Sequence, residues 1–244
     1  MSKEKQPRKD HAENLRFQLE RNQQLQRRWE SEFDQASQWL LRNWQTARLR
    51  QTHADLLQNP RYCPAVEFFL HELYGDRDFS RRDHDIERAY PIIVRTMPAG
   101  ALHSVVMAIE LNVLSHELDA DLLRVLIDEF AITDQISEDT YLRAYRHCDN
   151  YEQRLRQINL IGILGQDLEL IVAKPLIYTA LRVAKGPAHL AGFGQLQQFI
   201  ETGFNAFRKM GKADTFLEAI TQRELKILER IYNQHPHPLD LTKD

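Results

Sequence analysis

Hydrophobic positions recur along this chain at helical spacing. Leu25, Trp29, Phe33, Ala36 and Leu40 step by four, four, three and four, and Trp44 and Ala47 continue the step. That spacing puts all of them on one side of a 3.6-residue helix. Between Pro7 and Pro60 there is neither glycine nor proline, and Gln, Glu, Arg and Leu dominate, all good helix formers. The pattern predicts a long N-terminal helical arm over 13–58. Roughly 40 residues of helix would reach about 60 Å, so the arm either breaks in two or projects.

Further on, Ala101 to about Val125 is apolar on nearly every side, as a central helix is. Helices are predicted at Tyr141–Cys148 and Tyr151–Val172, and Pro175 suits the first turn of another. Leu196, Phe199, Ile200, Gly203, Phe204, Phe207 and Met210 form the cleanest stripe, and Gly211 follows where a left-handed C-cap is wanted. Phe216, Leu217, Ile220, Ile227, Leu228 and Ile231 make the last helix. Val66, Phe69, Leu70 and Leu73 share one face of a short helix that Gly75 would end, with Asp78 or Ser80 capping the next. No period-2 strand and no repeat stands out. The fold expected is all-α: a multi-helix globular bundle of roughly eight or nine helices with its core over 59–233. Residues 1–12 are expected to be disordered and the tail 234–244 loose.

Composition narrows the function classes. A chain of 244 residues with 43% hydrophobic and 27% charged residues has enough apolar material for a sizeable core. A formal net charge of -3 gives no basic surplus, so nucleic acid is an unlikely partner. The opening residues MSKEKQPRKD lack the apolar run of a secretory signal, and no stretch of about 18 apolar residues would span a bilayer. Two cysteines, Cys63 and Cys148, are too few for a disulfide framework or a four-ligand zinc site. A cytoplasmic location is the simplest reading.

Several chemistries fail at the residue level. His71-Glu72 and His116-Glu117 would each need a second histidine three positions after the glutamate, where Gly75 and Ala120 stand. The Glu-x-x-His pairs of di-metal bundles fail at Leu70 and Val113. There is no phosphate loop, dinucleotide fingerprint or nucleophile elbow. No metal or cofactor is therefore expected. Two weak constellations remain. Glu67 and His71 lie four apart on one helix flank, and His103, Glu110 and Glu117 recur at seven along the central helix, with Asp121 a turn further. Glu67, His71, His103 and Glu110 could bind a metal or relay a proton if their helices faced one another. Lys174, Arg182, Lys185 and His189, ahead of a helix starting near Gln195, could hold an anion. Pro187 argues against one continuous helix through them.

F-F-L-x-x-L-Y-G-x-x-D-F-S-x-R-D at Phe68–Asp83 carries a resemblance. So do Ala108-Ile109-Glu110-Leu111 with Leu114-Ser115 and Leu118-Asp119, Lys174-Pro175, Gly186-Pro187-Ala188, and AGFGQLQQFIETGFNAFRKMG. Over roughly residues 60–230 the chain resembles an uncharacterised family of proteobacterial proteins, a domain of unknown function. The resemblance implies a family and brings no activity, ligand or catalytic residue with it.

All three tryptophans, Trp29, Trp39 and Trp44, fall in the N-terminal arm. A helix showing Trp29, Phe33 and Trp44 to solvent would suit a protein partner or a homodimer. The expected function is a non-catalytic protein-interaction or regulatory module. The alternative is an enzyme or a small-ligand or metal binder, with a polar pocket around Glu110 and with His71 or His103 within hydrogen-bond reach of it.

Overall fold

The computed structural model describes residues 5–73 and 80–243. Among them the chain forms eleven helices and no strand: α1 Lys5–Glu32, α2 Gln35–Thr52, α3 Ala54–Gln58, α4 Cys63–Leu73, α5 Ser80–Thr96, α6 Ala99–Asp128, α7 Glu138–His147, α8 Tyr151–Val172, α9 Pro175–Leu190, α10 Gly194–Met210 and α11 Asp214–Tyr232. None is long and apolar enough to cross a membrane. The all-α multi-helix fold is as the periodicity predicts, with eleven helices among the described residues in place of eight or nine. The corner expected at Gly75, with its cap at Asp78 or Ser80, lies outside the described residues and side chains.

The N-terminal arm breaks in two and does not project. Asp34 stops the first segment by capping the second: its carboxylate accepts from the Ser37 N–H at 2.8 Å, the N-cap bond that favours Asp at this position. α1 lies along the central helix α6. Arg21 meets Glu117, the Asn112 amide donates to Asn22, Trp29 donates to the His116 carbonyl, and Arg124 meets Glu32. Residue numbers rise together on both helices, so the two run parallel. Between them Leu15, Leu19, Leu25 and Trp29 share a core with Leu102, Val106, Ile109, Val113 and Ala120. Each such side chain stabilises the docked arm by about 2 kcal/mol, so a projecting α1 would forfeit far more than its surface polar groups gain from water.

Of the chain ends, where residues 1–12 are expected to be disordered and 234–244 loose, the structure describes 5–12 and 234–243. Residues 5–12 belong to α1, and Arg8 donates to the Val94 and Arg95 carbonyls at the end of α5, where a cation suits the exposed carbonyls. In the tail, Leu239 and Leu241 pack on the core, and Arg230 donates to the Asp240 carbonyl.

The buried apolar residues fall into two main clusters. The first joins α1, α6 and α7 with the first half of α2 and the second half of α11. The second joins α4 and α10 with Leu56 of α3, Val172 at the end of α8, and Phe216 and Leu217 at the start of α11. Phe68, Phe69, Phe199, Phe207 and Phe216 touch ring to ring within the second cluster. Gly203 lets α10 approach α4 here: a Cβ on it would lie 2.7 Å from the Phe68 ring. At the end of α10, Gly211 adopts φ +73 as the sequence requires.

Gly203→Val should therefore overpack this junction and destabilise the fold by about 1–3 kcal/mol, read from the midpoint of chemical denaturation. A surface substitution such as Gln198→Ala should leave that midpoint nearly unchanged.

Candidate functional site: a buried polar junction and an uncovered helix

The residues singled out from sequence are dispersed. Glu67 forms a bidentate pair with Arg50 at 3.0 and 2.8 Å, and His71 joins the same carboxylate at 3.1 Å. The Arg50 hydrogen bonds hold the Glu67 carboxyl below its usual range. This is a partly exposed structural ion pair. His103 lies beside the His11 ring, 4.8 Å away. Glu110 accepts two hydrogen bonds from Arg156 of α8, at 3.0 and 2.9 Å. The expected pocket around Glu110 is thus occupied by an arginine, with neither His71 nor His103 as its partner. Among the described residues no group of three or more His, Cys, Asp or Glu side chains could hold a metal ion.

The tryptophan face turns inward. Trp29 and Phe33 are buried in the first cluster, and Trp44 stacks on Tyr141 with ring centroids 3.7 Å apart. Trp39 alone is exposed. The stripe that looked like a partner surface is the seam by which α1 and α2 join the body.

Where the two clusters meet, a polar layer interrupts them. On α11, Leu217, Ile220, Ile227 and Ile231 continue one stripe, and Glu224 stands within it. On α2, Leu41 is followed at helical spacing by Gln45 and Arg48. Both Glu224 oxygens accept from Arg48 Nη1, at 2.7 and 2.6 Å, and Glu224 Oε1 lies 3.1 Å from His53 Nε2. Asp119 of α6 accepts from the Gln45 amide at 2.8 Å, and Gln157 of α8 donates to Ser115. Arg154 of α8 sits over the Tyr145 ring at 4.6 Å and donates to the Leu118 carbonyl.

Gln45, Arg48, His53, Asp119, Arg154, Gln157 and Glu224 line a cavity of about 100 Å³, together with Tyr141, Tyr145 and the apolar side chains Val66, Phe69 and Ile161. Burial alone would raise the Glu224 carboxyl. The Arg48 charge and the hydrogen bonds from His53 and Arg48 outweigh it and hold it down at about 2. Glu224 is therefore ionised at neutral pH, and His53 Nε2 must carry the proton that faces it. Burial raises both the Tyr141 and Tyr145 hydroxyls, so both remain protonated donors. Gln45 Oε1, Arg48 Nε, His53 Nδ1 and Arg154 Nε are buried without a hydrogen-bond partner.

A second feature lies on α9. Contrary to expectation, the helix runs through Pro187 to Leu190. Lys174 is its exposed N-cap, Lys185 pairs with Glu201 at 3.2 Å, Arg182 lies over Tyr178, and His189 packs where a side chain on Gly194 would go. Ile177, Tyr178 and Leu181 pack inward on the second cluster. The outer side carries Leu176, Ala180, Val183, Pro187 and Leu190 at steps of four, three, four and three, all exposed. Leu176 is 84%, Val183 71% and Leu190 93% exposed. The stripe is legible in the sequence as apolar residues at steps of four and three.

The family described as Domain of unknown function (DUF8198) matches residues 23–238, and the chain belongs to that family. No curated protein and no solved structure matches the chain.

Glu224 supplies a test of the junction. Its folded carboxyl is depressed from 4.5 to about 2, so its stabilisation is complete above the unfolded value and is lost as pH falls through the folded one. The difference is about 3 kcal/mol. Denaturant titrations of wild type and Glu224→Gln from pH 6 to pH 2 should converge by that amount, with the gap largest at pH 6.

Proposed function

We propose that this protein is a non-catalytic helical interaction module that receives a partner helix along α9. The observation that carries the reading is the stripe of Leu176, Val183 and Leu190, each more than two-thirds exposed and spaced at seven. Isolated exposed apolar residues need no explanation, but a file of them on one helix marks an interaction site. Steps of four and three form the seam with which one helix packs on another.

Charge selects the partner. α9 carries Arg182, Lys185 and His189 and no acidic residue. Arg182, next to Val183, borders the stripe, so a second copy of α9 laid antiparallel would set like charge beside like charge there, while Lys185 is turned to Glu201 of α10. An amphipathic helix with acidic flanks meets the same face favourably. The setting is the bacterial cytoplasm. The resemblance to proteobacterial proteins supports this, as do the unpaired Cys63 and Cys148, the latter with its thiol pushed up to about 11 by burial.

A photo-crosslinking residue at Val183 in cells tests the proposal. It should capture a segment that maps to an acidic amphipathic helix, and the yield should fall at least tenfold when Leu176→Asp and Leu190→Asp are added. Both substituted residues are exposed, so circular dichroism should not change. Adducts only to a second copy of the chain or to lipid, or equal yields from a probe at the exposed Ile92, would overturn it.

A further inference from the structure

We propose that the cavity between the two apolar clusters binds a small neutral molecule with a primary carboxamide at one end of a short hydrocarbon body. This inference does not rest on the reading of α9. A single water needs about 10–15 Å³ of such space, so a cavity of about 100 Å³ admits several waters or one small organic molecule.

The charges on its walls cancel. Glu224 is paired with Arg48, and Asp119 faces Arg154 closely enough to favour the charged guanidinium. With His53 a neutral imidazole, two cations stand against two anions. An anionic ligand would meet Glu224 and Asp119 with no cation left to neutralise it. A cationic ligand would meet Arg48 and Arg154 in the same way. Burying an uncompensated charge is costly, and a neutral ligand avoids that cost.

Charge is balanced, but hydrogen bonding is not. Among the described residues, Arg48 Nε, Arg154 Nε, Gln45 Oε1 and His53 Nδ1 are buried without a hydrogen-bond partner, and all four belong to the lining. Gln45, His53 and Arg154 are only 4%, 4% and 5% exposed, and a buried donor or acceptor left unmet is expensive. The two arginine Nε–H groups donate. Gln45 Oε1 accepts, since the nitrogen of the same amide is turned to Asp119. Nδ1 of a neutral His53 also accepts, since Nε2 holds the proton toward Glu224. The lining thus offers two donors and two acceptors. A primary carboxamide is the counterpart, with two lone pairs on its oxygen and two N–H bonds on its nitrogen. A ketone or an ether answers only the donors. Water answers both, but Val66, Phe69, Ile161 and Ile220 are apolar and favour a hydrocarbon body over water.

Thermal unfolding of the full chain decides the matter. The probes are butyramide, its charged isosteres sodium butyrate and butylammonium chloride, and 2-pentanone, which keeps the carbonyl and the chain but lacks the N–H donors. Sodium chloride matches ionic strength. Butyramide should raise Tm saturably, by about 5–10 °C at roughly a hundred times its Kd. The two ions should give no more than the chloride control, and the ketone should bind at least tenfold more weakly. Gln45→Met, which removes one acceptor at similar volume, should weaken butyramide at least tenfold. If that variant does not fold, line broadening of carbon-13-labelled butyramide by wild type supplies the same discrimination: unlabelled butyramide should reverse it and 2-pentanone at equal concentration should not. Equal responses to butyramide and 2-pentanone, a response to either ion as large as to butyramide, an undiminished response in a folded Gln45→Met, or no response would overturn the proposal and leave the cavity a hydrated structural junction.

Discussion

The bond between Arg48 and Glu224 is the constraint on which the rest of this structure turns. It joins α2 to α11 across 176 residues of sequence, at the level where one apolar cluster gives way to the other. Removing two charges from water costs several kcal/mol per ion, repaid only when geometry is good and spare lone pairs are filled. Here one guanidinium nitrogen reaches both carboxylate oxygens and His53 donates a third hydrogen bond. The alternative at these positions is a continuous apolar seam, which would fuse the two clusters with no defined register between them. A charged pair that works only in one alignment fixes how far α11 slides along α2, in the same way that a polar residue in a coiled-coil seam sets register.

The polar layer also follows from topology. α1 and α6 are neighbours and run parallel, so the chain between them cannot be a tight turn; it must travel back the length of the pair before α6 begins. Residues 33–98 make that return, and α3 and α4 on the way seed the second cluster with Leu56, Val66 and Phe68. α8 and α11 are long enough to serve both clusters, and each carries polar residues where it passes from one to the other: Arg154 and Gln157 on α8, Glu224 on α11. The cavity lies at this passage because arginine, glutamine and tyrosine side chains with fixed hydrogen-bond geometry cannot close-pack as leucine and phenylalanine do.

Local chemistry was legible in the sequence, and pairing between distant helices was not. The stripe from Leu196 to Met210, the proline that opens α9 and the glycine that closes α10 depend on their own few neighbours, and each sits where periodicity and backbone preference place it. Asp34 with Ser37 also signalled the break in the arm, although an unbroken apolar stripe masked it. Burial of Trp29 and Phe33 was a different kind of question, because one stripe serves equally for docking inside a chain or between chains. Glu110 shows the same limit: its seven-residue spacing from His103 and Glu117 was real, but its partner, Arg156, comes from another helix. Glu224 is the readable exception, a lone acid in an apolar file.

α9 differs from the other long helices in having no buried residue. It does not lack a way to pack, since Ile177 and Leu181 already meet the second cluster; the apolar residues on its outer side exceed what attachment to the body needs. A helix held only for attachment would carry polar residues outside, as the outer faces of α7 and α11 do with Arg143 and Glu218. Leaving Leu176, Val183 and Leu190 in water forgoes about 2 kcal/mol apiece and risks aggregation. Arg182 at the edge of the stripe opposes the simplest aggregate, in which the same face meets itself. An apolar stripe together with a charge pattern that discourages self-pairing is the combination by which a surface admits one class of partner and excludes its own copy.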